Sequence, residues 1–269
     1  MRSPTSPLQR YSRDIQKPVI GEIFSFIKSG ISDNELEDIL SLDDKVLNKI
    51  YEDQIPEVRR VPAILVMKIK KEILSYLECI EADGAHVFRW SHKQFRDATL
   101  ARYFRRPEVV SEYYTNLSEY FLGTWSRGRA KPFTFTQHQR ARLGIKGRLG
   151  EADRKVASQP LVYLDKDGFL SRFNLRKFSE LPCHLIRARR FSDLFTELLF
   201  NYSWLHAKLS SSPLDRVIQD FQVGHSHLVK LPKFEVRVKN RDKIMVSEIL
   251  ICPCSCHNDL HNLKELEQF

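Results

Sequence analysis

From residue 19 onward, apolar positions fall into helical stripes, each with its own start signal. Ile20, Ile23, Phe24 and Ile27 share one face of a first segment. Ser32-Asp33-Asn34-Glu35 reads as a capping box, in which the Ser32 hydroxyl accepts from the Glu35 N–H and the Glu35 side chain accepts from the Ser32 N–H. Leu36, Ile39 and Leu40 form the stripe behind it, and residues 41–44 end that helix and start a second, with Val46, Leu47 and Ile50 inward. Pro62 suits a first helical turn. The helix after it carries Ile64, Leu65, Met67, Ile69, Ile73, Leu74 and Leu77, apolar nearly all round, so deep packing is predicted. Two β-prone runs, 78–82 and 85–90, flank Asp83-Gly84, a strong hairpin signal. Ser91 then reads as the N-cap of a further helix, with Gln94 at the capping-box position and Phe95, Ala98, Leu100, Tyr103 and Phe104 following. Counted from the capping box, helix, helix, helix, hairpin, helix is a winged-helix order.

Residues 108–122 predict another helix, through Val109, Val110, Tyr113, Tyr114, Leu117, Phe121 and Leu122. Residues 124–155 are short of aliphatics and read as a loop. Helical periodicity returns at Asn174: Leu175, Phe178, Leu181, Leu185 and Ile186 suit one helix. Phe191 to Leu205 suit a second, in which Trp204 is expected in the core and His206 on the surface. Leu214, Val217, Ile218 and Phe221 suit a third, after which the pattern is lost. The predicted fold is mainly α: a winged helix with a small β-hairpin, followed by stacked helical hairpins. The expected organisation is a flexible lead-in (1–18), a winged-helix domain (19–106), a helix plus basic linker (107–155) and a helical arm (156–222). An unrelated, poorly ordered Cys-containing tail (223–269) completes it.

Charge changes this picture at one place. The 269 residues hold 43 Lys/Arg against 34 Asp/Glu, a net +9. Residues 124–155 hold nine of those cations against two acids. Such a stretch could contact nucleic-acid phosphates through Arg140, Arg142, Lys146 and Arg148, with Phe133, Phe135 and His138 stacking on bases. The other reading is a solvated surface or a contact for an acidic partner. The helix that would enter a DNA groove offers only Lys68, Lys70 and Lys71, with no Arg, Asn or Gln to read base edges.

Catalytic motifs are missing. No Gly-x-x-x-x-Gly-Lys-Ser/Thr, Gly-x-Gly-x-x-Gly, Gly-x-Ser-x-Gly or His-Glu-x-x-His occurs. Cys183-His184 is not a nucleophile–base pair, because adjacent helical residues point about 100° apart. Cys252, Cys254, Cys256 and His257, with His261 nearby and His225 and His227 as extras, form the one metal-ligand cluster in the sequence. Its spacing lacks the two-residue gap of a zinc knuckle. No apolar run is long enough to span a membrane, and the start lacks the apolar core of a signal peptide, so a reducing, cytoplasmic setting is expected.

Two stretches carry a family resemblance. The first is Ile31-Ser32-Asp33-Asn34-Glu35-Leu36-Glu37-Asp38-Ile39-Leu40-Ser41, continuing through Arg60-Val61-Pro62 to Phe88-Arg89-Trp90-Ser91-His92-Lys93-Gln94-Phe95. The second is Ser179-Glu180-Leu181-Pro182-Cys183-His184-Leu185-Ile186, continuing through Phe200-Asn201-Tyr202-Ser203-Trp204-Leu205-His206-Ala207-Lys208. Over roughly residues 19–222 the chain resembles the NACHT and WD-repeat domain-containing proteins, STAND-type P-loop NTPases. The resemblance implies a NACHT domain before residue 1, a winged helix and helical arm here, and partner-binding WD propellers after residue 222. It implies a non-catalytic scaffold segment that relays the state of the nucleotide domain, with protein partners and no cofactor of its own; ATP belongs to the NACHT domain. The alternative is a nucleic-acid-binding winged-helix protein. The loss of pattern at residue 222 also raises a mis-set gene boundary, which transcript reads joining that point to propeller-coding sequence would support and abundant tail peptides in lysate would refute.

Overall fold

The computed structural model describes residues 19–51, 59–126, 128–147 and 149–228. They are mainly helical, with three separate two-stranded antiparallel sheets. Helix α1 (Val19–Phe26) is followed by α2 (Asp33–Leu42) and α3 (Asp44–Ile50). The capping box forms as the spacing predicts: the Ser32 N–H donates to Glu35 Oε2 at 2.9 Å and the Glu35 N–H to Ser32 Oγ at 3.4 Å. Asp43 separates α2 from α3 by capping the latter, its carboxylate accepting from the Lys45 N–H at 2.7 Å. Pro62 is the N-cap residue of α4 (Ala63–Ile73), one place before the first turn.

The hairpin of β1 (Leu77–Ala82) and β2 (Ala85–Trp90) turns at Asp83 and Gly84, both with positive φ (53° and 72°). Two such residues make the tight turn whose twist matches the strands. The hairpin is tied to the α1–α2 loop, because Ile31 exchanges both backbone hydrogen bonds with Phe88, at 2.9 and 2.8 Å. Gly30 makes that approach possible. Its φ is +101°, and a Cβ there would lie 2.9 Å from the Phe88 carbonyl oxygen and 3.0 Å from Val87 Cγ2. Helices α5 (Lys93–Tyr103) and α6 (Pro107–Leu122) follow.

Three expectations are corrected here. Helix α4 is not buried all round: Leu65, Val66 and Ile69 face the core, whereas Ile64 and Met67 are 54% and 67% exposed. An all-round apolar helix is covered only where neighbours sit on every side, and α4 packs on α2 along one face. Ser91 does not cap α5. His92 holds the N-cap place without a side-chain bond, and Ser91 Oγ donates instead to the Tyr76 carbonyl at 3.0 Å. The 124–155 stretch is not a loop. It forms β3 (Lys131–Thr134), α7 (Gln137–Leu143) and β4 (Leu149–Arg154), with β3 and β4 paired and α7 closed by a Thr136/Gln139 capping box.

A second hairpin, β5 (Val162–Leu164) and β6 (Leu170–Phe173), leads into the arm: α8 (Leu175–Arg187), α9 (Phe191–Asp193) running on as a π-turn segment through Leu199, α10 (Tyr202–Leu209) and α11 (Leu214–Leu228). Helix α11 thus continues past Gln222, where sequence periodicity fades. Trp204 is buried against Phe178, edge to face at 5.0 Å, and His206 is exposed, as expected. One apolar cluster runs from Ile23 to Ala207, with α6 packed along α8 between the N-terminal helices and the arm. Among the described residues no helix is long and apolar enough to cross a membrane.

Two substitutions test these packing claims by urea denaturation. Gly30→Ala is expected to cost about 2 kcal/mol or more, since it combines a positive φ with a clash against backbone. Phe133→Ala is expected to cost about 3–5 kcal/mol, because this ring of the basic stretch is fully buried. A surface-loop Phe133 would cost almost nothing.

Candidate functional site

A buried cluster of charge centres on Arg176, in the first turn of α8. Asn174 opens that helix, its side-chain oxygen accepting from the Lys177 N–H at 3.0 Å. The Arg176 guanidinium grips Glu35 with two bonds, Nε to Oε1 at 2.9 Å and Nη2 to Oε2 at 3.0 Å. Nη2 also donates to the Gly30 carbonyl at 2.7 Å. Nη1 reaches Glu180 at 3.3 Å and Asp83 at 3.4 Å. One side chain of the arm therefore touches the α1–α2 loop, the first turn of α2 and the hairpin turn. Asp83 also lies 3.8 Å from Arg216 of α11.

Glu180 completes the junction and is fully buried. Its two oxygens accept the N–H groups of Lys28 and Ser29 at 2.9 and 2.8 Å, just past the end of α1. His184 Nε2 lies 3.2 Å away, and its ring stacks on Phe121 at 5.5 Å. Burial pushes the Glu180 carboxyl up, but His184, Arg176 and the Lys28 N–H outweigh it and hold the group at about 2. For Arg176, burial disfavours the charge and Glu35, Glu180 and Asp83 more than restore it, so its pKa is raised. These largely buried groups, bonded across segments, clamp the α1–α2 loop and the hairpin turn to α8.

A second device lies deeper in the arm. Pro182 sits inside α8 and has no N–H for the Phe178 carbonyl, its normal helical acceptor. Lys208 of α10 supplies the missing donor, Nζ to Phe178 O at 3.0 Å, and pairs with Asp220 of α11. Burial pushes Lys208 down and Asp220 up, each opposed by the other's charge. The Pro182 and Lys208 positions, which helical packing alone does not require, are thereby linked across the arm.

The sequence-derived candidates are dispersed. Arg140 is half-buried on α7, Arg142 and Lys146 are exposed, and Arg148 lies outside the described residues. Their stacking partners are not beside them on the surface. Phe133 is buried beneath the Arg59 guanidinium, 4.3 Å from its ring centre, and Phe135 packs edge to face on Phe133; only His138 is exposed. Two cations of the stretch are spent internally. Arg154 donates to the Leu42 carbonyl at 3.3 Å and pairs with Asp44 at 2.6 Å, and Lys131 Nζ donates to the same carbonyl at 2.8 Å. They cap the C-terminus of α2, where helix carbonyls lack partners. Cys252, Cys254, Cys256, His257 and His261 lie outside the described residues, His225 is half-buried in α11, and of His227 only its place in α11 is described. Among the described residues no group of three or more ligands is placed to hold a metal. His184 reaches Glu180 and Phe121, while Cys183 is half-buried beside it with its thiol pushed up by burial.

Sequence reasoning missed Arg176, Glu180, Asp83 and Lys208 as functional positions. Glu35 and Asp83 were visible only in their local roles, as cap and turn residues. The available signal was Pro182 inside an otherwise helical pattern, which demands a donor from elsewhere.

These elements define a mainly helical protein in which the turn of the first small hairpin is clamped to α8. Over about three-quarters of its length the chain is homologous to one portion of NACHT and WD repeat-containing proteins. Mouse NACHT domain- and WD repeat-containing protein 1 is 34% identical over 213 residues, 78% of this chain, and the human protein of that name is 33% identical over the same extent. Mouse NACHT and WD repeat domain-containing protein 2 is 29% identical over 217 residues, 74% of this chain. The chain spans only 13% or 12% of the length of these relatives. No family model matches it, and no solved structure matches it.

Two measurements test the site. A carboxyl held at about 2 against an ordinary 4.5 contributes stability above pH 4.5 that is lost as pH falls toward 2. Glu180→Gln is therefore expected to lose about 2 kcal/mol less than the parent between pH 6 and pH 3, by urea denaturation at each pH; equal acid losses would place Glu180 outside the clamp. Lys208→Met is expected to cost about 3 kcal/mol, and less in a Pro182→Ala background, where the new N–H serves Phe178. A thermodynamic cycle of the four proteins reads that coupling.

Proposed function

We propose that the chain is a non-catalytic regulatory segment of a NACHT and WD-repeat signalling protein. In this reading α1 to α5 with the first hairpin are a winged helix, and α8 to α11 are an arm that carries the position of a nucleotide domain toward a WD-repeat region. Its partners are those two portions of a longer polypeptide and, through the propellers, other proteins; its setting is the cytoplasm. ATP is bound by the NACHT portion and not by these residues. The observation that carries the reading is Arg176. A relay needs its two ends joined by a stiff element whose arrangement both ends bias. Arg176 joins the hairpin turn, the α1–α2 loop and α2 to the arm through one buried side chain.

The test uses the longer polypeptide with its NACHT and WD-repeat portions. ATP is expected to change the protease sensitivity of the WD-repeat portion in the parent protein. Arg176→Met is expected to abolish that change while ATP still binds, and the milder Asp83→Asn to weaken it. A full ATP response in folded Arg176→Met protein would overturn the relay.

A further inference from the structure

Residues 93–106, the α5 helix and the turn after it, hold Lys93, Arg96, Arg102, Arg105 and Arg106 against one acid, Asp97. All five cations are exposed. Some cations on other elements are matched to carboxylates: Lys45 to Glu112, Arg60 to Glu37 and Asp38, Lys70 to Asp33, Arg89 to Glu78. Among the described residues none of the five makes an ion pair with a carboxylate. Arg96 donates to the Ser25 carbonyl at 3.0 Å, Arg105 to the Ala101 carbonyl at 3.2 Å, and Arg102 lies 5.6 Å from the neighbouring Tyr103 ring centre. Cations near a helix C-terminus offset its dipole, but that effect is confined to the last turn and does not account for Lys93 and Arg96 at the other end.

We infer that this face of α5 is a docking surface for an acidic segment of a protein partner. At about 100° per residue, Lys93 and Arg102 fall on opposite edges of the outward face, with Gln94, Asp97, Ala98 and Ala101 between them, while Arg96 lies off that face against the Ser25 carbonyl. Arg105 and Arg106 close its C-terminal end. A protein segment can lay neutral residues over the middle and reach the edges with Asp or Glu, so that Asp97 is spared. A nucleic-acid backbone carries a charge at every phosphate and brings some of them onto the Asp97 carboxylate. Exposed Leu74 and Tyr76, the latter packed edge to face on Phe95 at 5.2 Å, add apolar surface beside the N-terminal end of the face, which suits a protein. None of these residues belongs to the Arg176 clamp or is Arg140, Arg142 or Lys146.

The experiment measures fluorescence anisotropy of the full chain with two probes: a labelled amphipathic peptide helix with Leu on one stripe and Glu on its flanks, and a labelled duplex DNA. The peptide is expected to bind at low salt and weaken as salt rises. The reversal Arg102→Glu/Arg105→Glu is expected to weaken it at least about tenfold, with Lys146→Glu unchanged. These side chains are exposed, and an unchanged melting curve verifies that the reversal folds. Absence of peptide binding would overturn the assignment, as would binding that the α5 reversal leaves intact. DNA bound as tightly as the peptide and released by the same reversal would also overturn it and make α5 a phosphate surface.

Discussion

A guanidinium taken out of water must find carboxylates or carbonyls for its donors, and the way this chain meets that demand for Arg176 fixes the relation of its parts. Glu35, Asp83, Glu180 and the Gly30 carbonyl come from four different places in the chain and converge on one side chain of α8. A buried ion pair is weak evidence for net stability, because desolvation offsets much of the attraction. Its effect is on arrangement: any shift of α8 that separates Arg176 from Glu35 breaks two charged hydrogen bonds at once. The α1–α2 loop is held twice, since Glu180 also takes the N–H groups of Lys28 and Ser29. Gly30 and the Asp83-Gly84 turn are the backbone features that allow the hairpin to reach this point.

How much of this could be read beforehand follows from the range of the interactions. The Ser32/Glu35 box, the Asp83-Gly84 turn and the order of helices around the first hairpin are local, and they stand as the spacing indicates. The basic stretch misled because its composition resembles a solvated loop. Its aromatic Phe133 is core, and two of its cations, Lys131 and Arg154, neutralise the end of a helix far away in sequence. The apolar surround of α4 misled in the other direction, since among the described residues Ile64 and Met67 on one face are left exposed. The clamp itself was illegible. Nothing in a carboxylate's local spacing reveals that a guanidinium 141 positions later will complete it.

The relationship to NACHT and WD repeat-containing proteins gives these features a setting, and the two stretches of likeness acquire physical content. Glu35 lies in one and Glu180 in the other, and both bond Arg176. Pro182 and Lys208 both lie in the second, joined through the Phe178 carbonyl. Side chains that look arbitrary on single helices are required once the helices are assembled. Asp83 of the hairpin turn lies between Arg176 of α8 and Arg216 of α11.

The most direct test of that coupling is hydrogen exchange on the chain itself, comparing the parent with folded Arg176→Met. The account predicts that amides of the α1–α2 loop, the Asp83-Gly84 turn and the first turns of α8 lose protection together, while α10 keeps its own. Loss confined to α8, with the loop and the turn as protected as before, would contradict the claim that Arg176 holds hairpin and arm as one unit.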